Sequence, residues 1–144
     1  MPRALLDTSV LFAAAYRRDG AHEEAIPILK GIDDGSLPEA VVLDYVLAET
    51  LNGVLTHAGH DAGVDLLDRI EENARFHVAS LTTDAFATAK ALFRRHARLS
   101  FVDACIVAYM QTKGLGYLYA FDDDFDGIAD VYRIDVPTDP YDPR

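Results

Sequence analysis

At 144 residues the chain is long enough to bury one continuous core and too short for two independent ones. Half its residues are apolar, but no run approaches the roughly eighteen that a membrane span needs, and Asp7 interrupts the N-terminus before a signal-peptide core can form. A cytoplasmic protein without a membrane partner is expected. The formal charge of −11 argues against a generic nucleic-acid binder; with 18 aspartates among 24 acids and three lysines beside ten arginines, it suits a cytoplasm of high salt.

The first predicted element is a short buried strand, Ala4-Leu5-Leu6, ending at Asp7. Helical patterns follow over Ser9 to Arg17 and His22 to Ile32, until Asp33-Asp34-Gly35-Ser36 breaks the periodicity. Val41-Val42-Leu43 reads as a second strand. Asp44 is expected to cap a helix running to about His57 on Leu47, Leu51, Val54 and Leu55, with Gly59 closing it. A further helix spans about Asp61 to Asn73, and Phe76 to Ala79 forms a third strand. Thr82 or Thr83 caps a helix with the stripe Phe86, Ala89, Leu92, Phe93, and Ser100 opens another that stops at Lys113-Gly114. Tyr117 to Phe121 is a strand leading into the acidic loop Asp122 to Gly127, and Val131 to Ile134 is a last edge strand. Strands alternating with helices predict a three-layer α/β/α sandwich around a mainly parallel sheet. Residues 1–136 are expected to form this single domain, and 137–144, with three prolines, an irregular tail.

Ligands of open parallel sheets bind beyond the carboxyl ends of the strands, where Asp7 and Asp122 both fall. Asp103 lies in the otherwise apolar stretch Phe101 to Met110, so it is either paired or bound to a cation. Ser100-x-x-Asp103 also resembles a capping box, a role compatible with ligation. Glu49 sits mid-helix away from the leucines, and alone reads as a solvated acid. The Asp-x-Asp-x-Asp-Gly run from Asp122 suggests a calcium loop, but its twelfth position, which needs a bidentate glutamate, is Arg133. Calcium sensing is rejected. Cys105, flanked by Ala104, Ile106 and Val107, reads as a small core residue.

Four segments together resemble the PIN-domain nucleases, in particular the VapC-like toxins of toxin-antitoxin pairs. They are Leu5-Leu6-Asp7-Thr8-Ser9-Val10-Leu11, Val46-Leu47-Ala48-Glu49-Thr50-Leu51, Leu99-Ser100-Phe101-Val102-Asp103-Ala104 and Tyr119-Ala120-Phe121-Asp122-Asp123-Asp124-Phe125. The resemblance implies an endoribonuclease, often homodimeric, with Asp7, Glu49 and Asp103 as its three most regular acids and Asp122 as the fourth. Asp124 is then a helper or substitute for Asp122, and Thr8 or Ser9 supplies a hydroxyl beside the first acid. An RNA substrate and an antitoxin partner are likewise implied by the resemblance.

Several carboxylates held together repel one another and require a cation, and all-oxygen ligation favours Mg²⁺ or Mn²⁺ over zinc. The five histidines show no ligand spacing. The expected chemistry is attack on an RNA phosphodiester by a metal-activated water, with Glu49 or Asp103 orienting that water. Arg94, Arg95 and Arg98 precede the Asp103 helix as candidate phosphate contacts. The competing reading is a non-catalytic module of the same fold, used to hold RNA or protein. A haloacid-dehalogenase-type phosphatase needs an Asp where Ser9 stands, and no glycine-rich dinucleotide or Walker loop is present.

Overall fold

A computed structural model describes residues 2–142. Its five strands are β1 (Arg3–Leu6), β2 (Glu39–Leu43), β3 (Phe76–Ala79), β4 (Tyr117–Tyr119) and β5 (Tyr132–Ile134). They form one sheet in the order β3-β2-β1-β4-β5, every neighbouring pair parallel. Between them run α1 (Thr8–Ala15), α2 (His22–Asp34), α3 (Asp44–Ala58), α4 (His60–Glu72), α5 (Thr83–Arg95) and α6 (Phe101–Lys113). Crossovers between parallel strands are right-handed, which places α1 to α4 on one face as the chain steps outward to β3, and α5 and α6 on the other as it returns to β4. This is the expected three-layer α/β/α sandwich.

Its core follows from the strand sequences. Ala4, Leu5, Leu6, Val41, Val42, Leu43 and Leu118 are apolar on successive positions and fully buried, as strands covered on both faces must be. Helix α6 buries eight consecutive residues from Asp103 to Met110, Cys105 among them, where burial pushes the thiol up to about 11 and keeps it a protonated packing group. The helix ends obey their local signals. Gly35 and Gly114 take left-handed backbone (φ 88° and 67°), which lets α2 and α6 stop without a Cβ clash.

Three local expectations are corrected. Leu43, not Asp44, occupies the cap position of α3 and makes no side-chain cap bond; Asp44 begins the helix and accepts from the amides of Tyr45 (2.9 Å) and Leu81 (3.3 Å), tying α3 to the segment after β3. The buried face of α3 is Val46, Thr50 and Val54, whereas Leu55 is half exposed. Thr50 can enter the core because its hydroxyl donates to the Val46 carbonyl at 2.7 Å. Finally, β4 ends at Tyr119 rather than Phe121, because the Phe121 amide leaves the ladder to donate to the Ser9 hydroxyl.

Among the described residues the segment after β5 has no helix or strand but is tied down: the Tyr119 and Tyr141 hydroxyls donate to the carbonyls of Thr138 (2.8 Å) and Arg3 (2.7 Å). Among the described residues no helix is long and apolar enough to cross a membrane.

Candidate metal centre

In this strand order the chain leaves β1 toward one edge of the sheet and later returns to the other side of it, so β1 and β4 flank the topological switch point. Asp7 follows β1 and Asp122 lies three residues beyond β4. Both open helical turns: Asp7 is the N-cap of α1, and Asp122 that of a short 3-10 turn, Asp123–Phe125. A third N-terminus, that of α6, brings in Asp103. Each of these turn starts favours negative charge on the acid it carries.

Each carboxylate is oriented by its own turn. Asp7 Oδ2 accepts from the Ser9 hydroxyl at 2.6 Å and the Ser9 amide at 3.2 Å. The same hydroxyl accepts from the Phe121 amide at 3.0 Å, so one serine locks the ends of β1 and β4 together. Of the two hydroxyls considered beside the first acid, Ser9 makes these bonds; Thr8 Oγ1 is buried and has no partner among the described residues. Asp103 Oδ2 accepts from the Ser100 amide and Ser100 Oγ from the Asp103 amide, both at 3.1 Å. This is the expected capping box. It occupies one oxygen of Asp103, so the cap does not preclude ligation. Asp122 Oδ1 accepts from the Asp124 amide at 2.9 Å.

Asp103, Asp122 and Asp124 each present a carboxylate oxygen within 4.8 Å of the others. Asp7 adjoins them: its charge acts on Asp103, and that of Asp122 on Asp7. Burial raises the Asp7 carboxyl above its ordinary range despite the Ser9 bonds. Burial, helped by the charges of Asp7 and Asp122, pushes Asp103 up to about 6. Asp7 and Asp103, buried and with raised affinity for protons, stand beside the half-buried Asp122 and Asp124 in an all-oxygen donor set that a hard divalent cation fits. Of the acids expected at the site, Glu49 stands apart: it is exposed on α3 and outside the group that shares this span.

Two arginines hold the acidic turn, and neither contact was foreseen. Arg133, the residue that breaks the calcium-loop pattern, grips both oxygens of Asp126 at 2.8 and 3.1 Å and donates to the Ala120 carbonyl. Arg98 spans Asp123 and Asp124, with Nη2 at 3.0 Å from an oxygen of each. Nothing in the spacing of either arginine signals its partner, since the pairs are formed by the fold. Arg94 and Arg95 are exposed in the last turn of α5.

An all-parallel α/β/α sandwich with clustered aspartates at its switch point is an α/β protein with an acidic, cation-suited site. The PIN domain profile matches residues 4–131, and the chain belongs to that family. Within the family it is VapC-like. It is similar to VapC20 of Mycobacterium tuberculosis, described as a Sarcin-Ricin loop cleaving toxin, with a TM-score of 0.76 and 30% identity over 88% of this chain and 95% of that one. VapBC-5, a toxin-antitoxin member from the same organism, aligns at TM-score 0.58 and 25% identity, covering 93% of this chain and 98% of that one. A toxin-antitoxin complex from Klebsiella pneumoniae shares the fold at TM-score 0.63 and 22% identity, covering 91% and 99%. A comparison with curated protein sequences gave no match.

Proposed function

We propose that the protein is a metal-dependent endoribonuclease, the toxin half of a toxin-antitoxin pair, working through Asp7, Asp103, Asp122 and Asp124. The observation that carries this is the meeting of Asp103, Asp122 and Asp124 within 4.8 Å, with Asp7 adjoining, at the switch point of a VapC-like PIN domain. These acids would hold Mg²⁺ or Mn²⁺. When bound, such an ion supplies Lewis-acid polarisation of the phosphate and positive charge for the departing 3′ oxygen. The chain itself does the positioning. Ser9 fixes Asp7 against the end of β4, the Ser100 cap fixes Asp103, and the 3-10 turn aims Asp122 and Asp124. Glu49, exposed and outside the tight group, is the acid left to orient the attacking water. Arg94, Arg95 and Arg98, which precede the Asp103 helix, contact phosphate in this reading.

The VapC20 likeness supports an RNA target, and the presence of all the acids counts against a non-catalytic module. An antitoxin partner is supported by the toxin-antitoxin neighbours, and a segment carrying Arg or Lys into the carboxylates would block the site. The deciding experiment is cleavage of structured and single-stranded RNA in Mg²⁺ or Mn²⁺ by the wild type, Asp7→Asn and Asp103→Asn. Loss of cleavage in both variants, with unchanged circular dichroism, is expected. Retained activity in both would reject the assignment.

A further inference from the structure

Arg98 and Arg133 hold the same acidic turn in different ways. Arg133 is largely buried, with a side-chain exposure of 18%, and grips Asp126, which lies outside the metal-ligand group. It is a fixed clamp. Arg98 is 61% exposed, and its Nη2 and Nε both reach Oδ1 of Asp124, at 3.0 and 3.2 Å, a residue that belongs to the group. The Arg98 guanidinium therefore stands on a carboxylate that a divalent ion would also claim.

We propose that Arg98 is an internal counter-cation of the site, displaced from Asp124 when a divalent ion binds and redirected to a phosphate of the RNA strand. The inference rests on the metal-dependent ribonuclease reading given above. Its energetics are favourable for exchange. An exposed ion pair of this kind contributes about 0–1 kcal/mol, little enough for a multiply ligated divalent ion to break. A freed guanidinium then offers a planar fork matched to phosphate oxygens. The surroundings suit a polyanion. Residues 85–102 contain no Asp or Glu but four cations, Lys90, Arg94, Arg95 and Arg98, in a chain whose net charge is −11. This stretch ends at the capping box of Asp103, so Arg98 joins the basic surface to the acidic site.

The first test is calorimetric titration of the metal-free protein with Mn²⁺. Arg98→Ala is expected to bind Mn²⁺ about 2–5-fold more tightly than wild type, the fold-change matching loss of a weak competing pair. Arg94→Ala, which forms no ion pair among the described residues, leaves Mn²⁺ affinity unchanged. The second test uses fluorescence anisotropy with a labelled oligouridylate in Mn²⁺, in the Glu49→Gln background, which removes the residue proposed to orient the water and leaves the metal-ligand group intact. Adding Arg98→Ala is expected to weaken RNA binding several-fold and to reduce the log-log salt slope by about 0.7, one phosphate contact on a single strand. Arg98→Lys, which keeps the charge but not the fork, should return Mn²⁺ affinity toward wild type while RNA binding stays weak. Weaker Mn²⁺ binding in Arg98→Ala overturns the proposal, because Arg98 would then be positioning Asp124 for the metal. Tighter Mn²⁺ binding with unchanged RNA affinity overturns it as well. If the Glu49→Gln protein binds Mn²⁺ but no oligouridylate, the RNA reading itself fails, an outcome distinct from either.

Discussion

Asp103 combines three constraints in one side chain: it caps α6, it is buried, and it faces three other acids, Asp7, Asp122 and Asp124. Its titration makes this measurable. The unfolded chain ionises this aspartate near 3.8 and the folded chain near 6. Below 3.8 both states are protonated, and its burial carries no ionisation cost. As the pH rises from 3.8 to 6 the unfolded state ionises first, and stability is lost; above 6 the full loss, on the order of 2–3 kcal/mol, is in place. Asp103→Asn, which retains a cap acceptor but no charge, should therefore raise the melting temperature of the metal-free protein at pH values above 6 and leave it unchanged near 3.8. Thermal melts in a chelating buffer check this, and a variant no more stable than wild type at neutral pH would refute the charge conflict. Because Asp103 belongs to the proposed ligand group, the same substitution is expected to weaken metal binding, which would set stability against function here. Ser9→Ala removes the hydroxyl that donates to Asp7 and accepts from Phe121, and is expected to destabilise by about 1–3 kcal/mol in denaturant unfolding, with loss of cleavage.

At the scale of elements, several helix ends and the acids that follow strands were legible because their signals are local. Ser100, Thr82, Gly35 and Gly114 each do what an adjacent pattern requires, and Asp7 and Asp122 announce themselves by following apolar runs. What escaped depends on contacts distant in the chain. The Leu55 position looked apolar-faced by spacing alone, yet Thr50 takes the core because its hydroxyl is satisfied within its own helix. The end of β4 was misplaced because Ser9, more than a hundred residues away, captures the Phe121 amide. The arginine clamps were invisible for the same reason. Ser100→Ala removes half of the capping box, with an expected cost of about 1 kcal/mol to unfolding. Because that cap also fixes Asp103, metal affinity should fall with it. Unfolding in urea with and without Mn²⁺ separates the two effects, and a stability loss with intact Mn²⁺ affinity would show that the serine serves the helix alone.

For the whole molecule the open question raised by composition is how so acidic a chain can act on a polyanion. Its thirteen cations are few, and several are spent inside the protein: Arg133 on Asp126, Arg75 on the carbonyls of Ile32 and Leu37, and Arg69 on Asp65. The acid-free segment 85–102 concentrates four more, of which Arg98 pairs with Asp123 and Asp124. In the proposed reading, a nuclease arranged this way would lean on a divalent ion, rather than a broad basic surface, to hold the scissile phosphate. Such a design has a measurable signature in salt. Each phosphate contact on a single strand contributes about −0.7 to the slope of log affinity against log salt. With Arg94, Arg95 and Arg98 as the contacts, the slope at saturating Mn²⁺ should be near −2, shallow enough for binding to survive at salt concentrations that would release a basic protein. Stability should move the other way, since salt screens the mutual repulsion behind a charge of −11 and shortens its reach to about 3 Å at 1 M. Anisotropy titrations across a potassium chloride series, paired with melts of the same protein, test both. A rise in melting temperature with salt beside a shallow binding slope is the expected pair; a steep slope would mean that phosphate is held by an extended basic surface and not by the carboxylate centre and its few neighbouring arginines.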